Sequence, residues 1–155
     1  MNRLATRIRE ELGDIQLTIN RAMQGWQKFT QSTDELYIDG IALNIQGAYT
    51  GLERLFEQIS KHVDDERSQG ENWHQKLLQQ MAVEQDNIRP AVISIESLQY
   101  LDNWRRFRHL VRHNYASKLE ISKIEKLIEG IDYSFGQISA ELMAFAQFLE
   151  QRSES

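Results

Sequence analysis

The sequence predicts an all-α protein, an up-and-down bundle of four long helices with one additional short helix. Apolar residues recur at steps of three and four through most of its 155 residues, which is the period of an amphipathic helix. The single proline and the scarcity of turn clusters favour long helices over many short strands. A chain of this length suits one domain with a substantial core, so we expect residues 1–155 to form a single domain.

The first two long helices are predicted over residues 3–29 and 35–63, with a polar break at residues 30–34. Apolar residues at helical spacing define the first of them: Leu4, Ile8, Leu12, Ile15, Ile19, Met23 and Trp26. The second is defined in the same way by Ile38, Ile41, Ile45, Ala48, Leu52, Phe56, Ile59 and Val63. We interpret both as bundle helices with one buried face and one solvated face.

Three glycines, Gly40, Gly47 and Gly51, fall along one side of the second helix. Each costs about 0.5–1 kcal/mol relative to alanine in a helix, so some favourable contact is expected to compensate. Close packing of another helix of the same chain is the favoured interpretation. A contact between two copies of the chain and a ligand groove are the alternatives.

The middle of the chain is predicted to contain a charged loop at residues 63–70 and a short helix from Trp73 to Val83. The acidic run at residues 64–66 is interpreted as a solvated helix end in preference to a metal site. His74, beside Trp73, is expected to be a structural or surface histidine. Pro90 ends this region, and a new helix is predicted to begin there because proline suits the first helical turn.

The last part of the chain carries an apolar stripe from Val92 to Val111, a connection at residues 116–120 and a final long helix. That helix is predicted from Ile121 to Leu149, where apolar residues again recur at steps of three and four. Residues 151–155 are polar and are expected to form a frayed tail.

Composition excludes several classes of protein. Cysteine is absent, which excludes disulfides, thiolate zinc sites and cysteine nucleophiles. No apolar run approaches the ~18–20 residues of a membrane-spanning helix, and the first residues lack the apolar core of a signal peptide. We therefore expect a cytoplasmic protein with no membrane contact. A net charge of −5 argues against broad nucleic-acid affinity, so any RNA contact is expected to be local.

The most distinctive stretch is residues 104–115, WRRFRHLVRHNY, which concentrates four arginines and two histidines in an acidic chain. It contains the pattern R-x4-H-x-Y at Arg108, His113 and Tyr115. Arginine binds phosphate through several N–H donors, and histidine transfers protons near neutral pH without a metal. We interpret the stretch as an active site for RNA phosphodiester chemistry. His113 is assigned as general base or acid, and Arg108 as the group that stabilises the extra negative charge on the phosphate.

Other residues of this stretch are candidates for contacting the RNA: Arg105, Arg106, His109, Arg112 and Asn114. Trp104 and Phe107 are interpreted as core residues in preference to base-stacking ones. A solvated basic face is the structural alternative for the whole cluster. No metal is expected, because the arginines beside His109 and His113 disfavour a cation between these two histidines.

The segment RHLVRHNY resembles the signature of HEPN-domain ribonucleases, and specifically of the HepT toxins, whose partner is an MNT-type nucleotidyltransferase antitoxin. The resemblance implies a helical domain of about this size, a homodimer with a composite cleft, and metal-independent cleavage of RNA, with tRNA as the expected class. It also implies that the antitoxin transfers AMP from ATP onto Tyr115, so this chain itself uses no cofactor. Many members of the family have asparagine after the motif arginine, whereas this chain has His109.

The spacing within the motif indicates why a second copy is needed. On a straight helix Tyr115 lies within about 20° of Arg108, whereas His113 lies about 140° away. Long side chains, a distorted last turn or a second copy of the motif are the three ways to bring the residues together. We prefer the second copy, because cleavage needs both a base and an acid and a twofold axis places two motifs face to face.

Two other functions remain open from the sequence. The first is a non-catalytic helical module of the same family that binds a nucleotidyltransferase partner or a nucleotide. The second is a purely structural dimerisation bundle, in which Tyr115 is a half-buried anchor at a helix end.

Overall fold

The computed structural model describes residues 2–115 and 118–154, and within these residues the regular structure is helical, with no β-strand. Five α-helices follow one another along the chain: α1 (Asn2–Ser32), α2 (Leu36–Ile59), α3 (Trp73–Met81), α4 (Ile95–His113) and α5 (Ile121–Glu154). A π-helical turn at Ser60–Asp64 continues α2. The predicted all-α class with four long helices and one short one is confirmed.

The bundle is built around α1, which packs closely against both α2 and α5, while α4 packs on α2 and the short α3 bridges α2 and α4. The predicted apolar stripes of α1 and α2 form its core, and the largest side chains that are fully enclosed include Tyr49, Phe56 and Phe135. None of the helices in the described residues combines the length and the hydropathy that a bilayer-spanning helix needs.

The glycines of α2 differ in their surroundings. A methyl group added at Gly51 would approach a side-chain carbon of Ile15 on α1 to 3.0 Å, so the absence of a side chain there allows the two helices to approach. The same group added at Gly40 would meet nothing within 4 Å. Packing within the chain therefore explains Gly51. Gly40 does not share that contact, so the three glycines do not form one continuous packing surface.

The predicted charged loop contains a buried ion pair. Asp64, expected to be solvated, accepts hydrogen bonds from Nε and Nη2 of Arg89 at 2.6 and 2.7 Å, and both side chains are almost completely buried. The remaining guanidinium donors of Arg89 reach the carbonyl oxygens of Gln80, Val83 and Pro90 at 2.9–3.2 Å. The solvated interpretation was wrong for Asp64, because this contact comes from a segment 25 residues away.

A helix does not begin at Pro90, contrary to the prediction. α4 begins later, where Oγ of Ser94 accepts a hydrogen bond from the backbone N–H of Ser97 at 3.1 Å. Before that point, the N–H groups of residues 92 and 93 both donate to the carbonyl oxygen of Met81, at 2.8 and 3.2 Å. These bonds tie the segment to the end of α3, so its buried apolar residues belong to a loop.

The last helix is longer than predicted. α5 continues through Glu154, so residues 151–154, expected as a tail, are helical. Nη1 of Arg152 donates to the carbonyl oxygen of Ile88 at 2.6 Å, which joins the end of α5 to the loop that precedes α4. Residues 116 and 117 of the predicted connection, and Ser155, lie outside the described residues.

Candidate active site at the end of helix α4

The R-x4-H-x-Y motif occupies the last turns of α4 and the two residues that follow. The helix ends at His113. The basic side chains of Arg112 and His113 lie in its last turn, where the helix dipole favours positive charge. Asn114 is extended, and its Nδ2 donates to the carbonyl oxygen of Leu110 at 2.9 Å, which satisfies one of the last free carbonyls. The helix end is therefore closed by the motif's own residues.

Tyr115 projects from this end with 81% of its surface exposed. The interpretation of Tyr115 as a half-buried anchor was therefore wrong. Because Asn114 leaves the helical conformation, Tyr115 does not lie along the helix above Arg108. The chain leaves the helix after His113, at the extended Asn114, and the phenol of Tyr115 is accessible.

Arg108 is held by one contact from another helix. Its Nε donates to Oγ1 of Thr50 on α2 at 3.1 Å. Within residues 2–115 and 118–154, the two terminal nitrogens of Arg108 have no hydrogen bond or ion pair. The side chain of Arg112 likewise has none among these residues. The guanidinium is thus oriented through Nε while the part that binds phosphate bidentately stays available.

Arg105 and Arg106, both predicted to contact RNA, share a single carboxylate. Nη2 of Arg105 lies 2.8 Å from Oδ1 of Asp102, and Nη2 of Arg106 lies 2.9 Å from Oδ2 of the same side chain. This pairing cancels one of their two charges. Their contact with RNA remains a prediction, and they differ from Arg108 and Arg112, which have no ion pair with any residue that the structure describes.

A buried polar cluster lies on the α2 side of the arginines. The Tyr49 hydroxyl donates to Oε2 of Glu53 at 3.0 Å, and Nδ1 of His74 lies 2.6 Å from the same oxygen. Burial first, and the Glu53 carboxylate second, raise the pKa of Tyr49 well above its ordinary value, so the phenol stays protonated and donates. The positive charges of Arg105 and Arg108 act on the pKa of Tyr49 in the opposite direction.

The aromatic and imidazole side chains of the motif region fall into two groups. Trp104 and Phe107 are 3% and 6% exposed, which confirms that they are core residues. His109 and His113 are exposed, and their ring centroids lie 4.3 Å apart. In the described part of the chain no hydrogen bond joins Arg108 to His113; the recorded side-chain contacts of the two residues are with Thr50 and His109 respectively.

The described residues contain no group of three or more His, Asp or Glu side chains placed to hold a metal ion. Sequence reasoning missed the contacts of Asp102 and Thr50. Asp102 had a readable signal, because it lies three and four residues before the two arginines that it binds. Thr50 had none, since it lies 58 residues from Arg108.

Comparison with known proteins gives one result. A family model described as "HepT-like protein" matches residues 40–149, a range that begins in α2, ends in α5 and contains the whole motif. Searches of curated proteins and of solved structures returned no match.

Proposed function

Because this chain belongs to the HepT-like family of HEPN proteins, we propose that it is a metal-independent endoribonuclease, the toxin of a HEPN/MNT toxin–antitoxin pair. The observation that carries the proposal is the arrangement of Arg108: Thr50 holds its Nε, and no other residue that the structure describes bonds its terminal nitrogens. RNA is the proposed substrate, with tRNA as the expected class.

The proposed reaction is attack of an RNA 2′-hydroxyl on the adjacent phosphorus. A base removes the hydroxyl proton, the phosphorus–O5′ bond breaks, and an acid donates a proton to the leaving O5′. The products are a 2′,3′-cyclic phosphate and a 5′-hydroxyl. Neutral His113 serves as the base or its protonated form as the acid, and Arg108 stabilises the non-bridging oxygens as negative charge develops.

A homodimer completes the site in this proposal. Among the described residues no hydrogen bond joins Arg108 to His113, and their positions on α4 differ by about 140° around the helix axis. A twofold axis near the end of α4 would place the His113 of one copy opposite the Arg108 of the other. The composite cleft would then contain two imidazoles at the motif position, enough for one base and one acid.

Tyr115 is the proposed acceptor of AMP from the MNT-type antitoxin. Its exposed hydroxyl oxygen would attack the α-phosphorus of ATP, lose its proton and release pyrophosphate. The resulting phosphodiester adds negative charge and bulk next to the arginines of α4. RNA would then be blocked by repulsion and by steric exclusion.

The test of this function is cleavage of total tRNA by the purified protein in excess EDTA. Arg108→Ala and His113→Ala are compared with the parent, and Arg21→Ala serves as the matched control because Arg21 is an exposed arginine on α1. We expect the parent and the control to leave 2′,3′-cyclic phosphate ends and the two motif variants to lose cleavage.

Equal cleavage by all four proteins would indicate a contaminating nuclease and remove the motif from the mechanism. Absence of cleavage by any of them would favour the non-catalytic module, once mass spectrometry shows that Tyr115 carries no AMP.

A further inference from the structure

A groove of about 660 Å³ separates α4 from α5 on the side of α4 that faces away from α2. Its apolar floor consists of Trp104, Phe107 and Leu127, and three cationic side chains line it: Arg106, Lys123 and Lys126. This volume lies in the range of pockets that enclose small organic ligands. In an otherwise acidic chain, the groove is a local concentration of positive charge.

In the first half of α5, the basic and the acidic side chains lie on different faces of the helix. Lys123 and Lys126 line the groove together with Leu127, whereas the exposed acids of the same segment, at positions 125, 129 and 132, do not. At about 100° per residue, those acids lie roughly 110° or more from the middle of the groove-lining face. Neither lysine has an ion-pair partner among the residues that the structure describes. Both cations are therefore available to an anionic ligand.

Two tyrosine rings, Tyr100 and Tyr133, lie at one end of the groove. Tyr100 lines it, and the ring of Tyr133 lies edge-on to Tyr100 with centroids 6.5 Å apart. Tyr133 is 70% exposed, so its ring is accessible to a planar group. The Tyr100 hydroxyl donates to Glu96 at 2.6 Å, and that carboxylate places negative charge beyond this end.

The opposite end of the groove adjoins the candidate active site. Leu110 and Lys123 line that end, and Leu110 is the residue whose carbonyl oxygen binds Asn114 of the motif. Arg106 lines the groove and lies two residues before Arg108 on α4. The groove therefore opens beside the last turns of α4, on a different side of the helix from Arg108, because residues two apart on a helix lie about 160° apart around its axis.

We propose that the groove between α4 and α5 is a track for single-stranded RNA, in which Lys123 and Lys126 contact phosphates and Tyr133 stacks on a base. Cations combined with an exposed aromatic ring are the features that bind single strands, since every base has a face that stacks. An acidic protein segment would pair with the lysines but has no base to stack on the exposed ring. The proposal deepens the proposed function, because it takes RNA as the substrate class.

The test measures binding separately from cleavage. A short fluorescein-labelled 2′-O-methyl RNA, which lacks the attacking hydroxyl, is titrated with the protein in EDTA at several salt concentrations, and fluorescence anisotropy is recorded. The groove variant is Lys123→Gln/Lys126→Gln. Its matched control is Lys28→Gln/Lys61→Gln, which removes the same charge from exposed positions away from the groove.

We expect the groove variant to bind more weakly and to lower the slope of log K against log salt by about 1.4, because each phosphate contact on a single strand contributes about 0.7. Tyr133→Leu is expected to weaken binding at least about fivefold at every salt concentration, since stacking is not ionic. Tyr37→Leu, at an exposed tyrosine of α2, and the control lysine variant are expected to bind like the parent.

Binding by the groove variant that equals that of its control would overturn the track, even if the parent cleaves tRNA. Displacement of the RNA by polyglutamate as readily as by unlabelled RNA would also overturn it, in favour of an acidic protein partner. If the parent binds through the groove but does not cleave tRNA, the track stands and the nuclease function fails. A parent that neither binds nor cleaves RNA contradicts both.

Discussion

Arg89 and Arg108 show two uses of the same side chain in this molecule. Arg89 is buried, and its five guanidinium N–H donors all have partners, two of them on the carboxylate of Asp64. Arg108 is half-buried, and among the described residues its guanidinium makes one hydrogen bond, from Nε to Thr50. Arg89 has no donor left for a ligand, whereas Arg108 is positioned by the fold and keeps its phosphate-binding nitrogens. The difference indicates that donor occupancy separates an arginine that stabilises the fold from one whose donors remain available to a ligand.

The largest expected effect is on stability, at Arg89. Arg89→Met leaves the carboxylate of Asp64 buried without its partner, so we expect a loss of about 3–5 kcal/mol of unfolding free energy, measured by urea denaturation. Asp64→Leu combined with Arg89→Met removes both charges and is expected to recover part of that loss. If Arg89→Met alone lowers the free energy of unfolding by less than about 1 kcal/mol, as an ordinary surface substitution does, the contrast between the two arginines fails.

The next effect concerns activity, at Arg108. Arg108→Lys keeps the charge but loses the planar pair of terminal donors, so we expect kcat/KM for RNA to fall about 10²–10³-fold. The free energy of unfolding should change by no more than about 0.5 kcal/mol, in contrast to Arg89→Met. Full activity of this variant in the tRNA assay would show that a point charge suffices and that the free guanidinium fork is not required.

The two tyrosines, Tyr49 and Tyr115, extend the comparison to hydroxyl groups. Tyr49→Phe removes a donor from the buried Glu53 carboxylate and is expected to cost about 1.5–3 kcal/mol of stability. Tyr115→Phe should leave stability unchanged, because the hydroxyl is exposed, and should prevent transfer of AMP by an MNT-type partner. Urea denaturation and mass spectrometry measure the two effects, and destabilisation by Tyr115→Phe would contradict the contrast.

The raised pKa of Tyr49 adds a pH dependence to that prediction. The stabilisation is fully present below the unfolded pKa of about 10. Above that pH the unfolded tyrosine loses its proton while the folded one keeps it, so stability falls as the pH rises. Tyr49→Phe lacks this group, and the difference in stability between parent and variant should therefore shrink in alkaline solution.

The smallest effect is expected at Thr50, the residue that positions Arg108. Thr50→Val removes the acceptor of the Nε hydrogen bond at nearly constant volume, so we expect kcat to fall about fivefold with little change in KM. Thr50→Ser keeps an acceptor and should restore kcat. If the serine variant is as slow as the valine variant, the hydroxyl is not what orients Arg108.

The long helices could be predicted well because their signal is local. The apolar period placed the first helix at residues 3–29, against the observed Asn2–Ser32, and it correctly assigned Trp104 and Phe107 to the core. The helix predicted from Pro90 failed for the opposite reason. Residues 92 and 93 are apolar and buried as the stripe indicates, but remote hydrogen bonds to Met81 keep them out of a helix.

The candidate site, like the helices, could be predicted only in part from the sequence. Residue types and spacing single out Arg108, His113 and Tyr115, whose roles stay predictions, and the matched family range contains all three. Periodicity could not show that α4 ends at His113, that Tyr115 is exposed, or that Asp102 pairs with Arg105 and Arg106.

The sequence by itself determined the helices, their buried faces and the chemical types in the motif, because these depend on neighbours within a few turns of the chain. Only the tertiary structure decided which polar groups have partners. Arg89 meets Asp64 across 25 residues, and Arg108 meets Thr50 across 58. Whether a donor is occupied or free depends on which distant segments the packed helices bring within hydrogen-bond distance, and hydrophobic periodicity carries no record of that pairing.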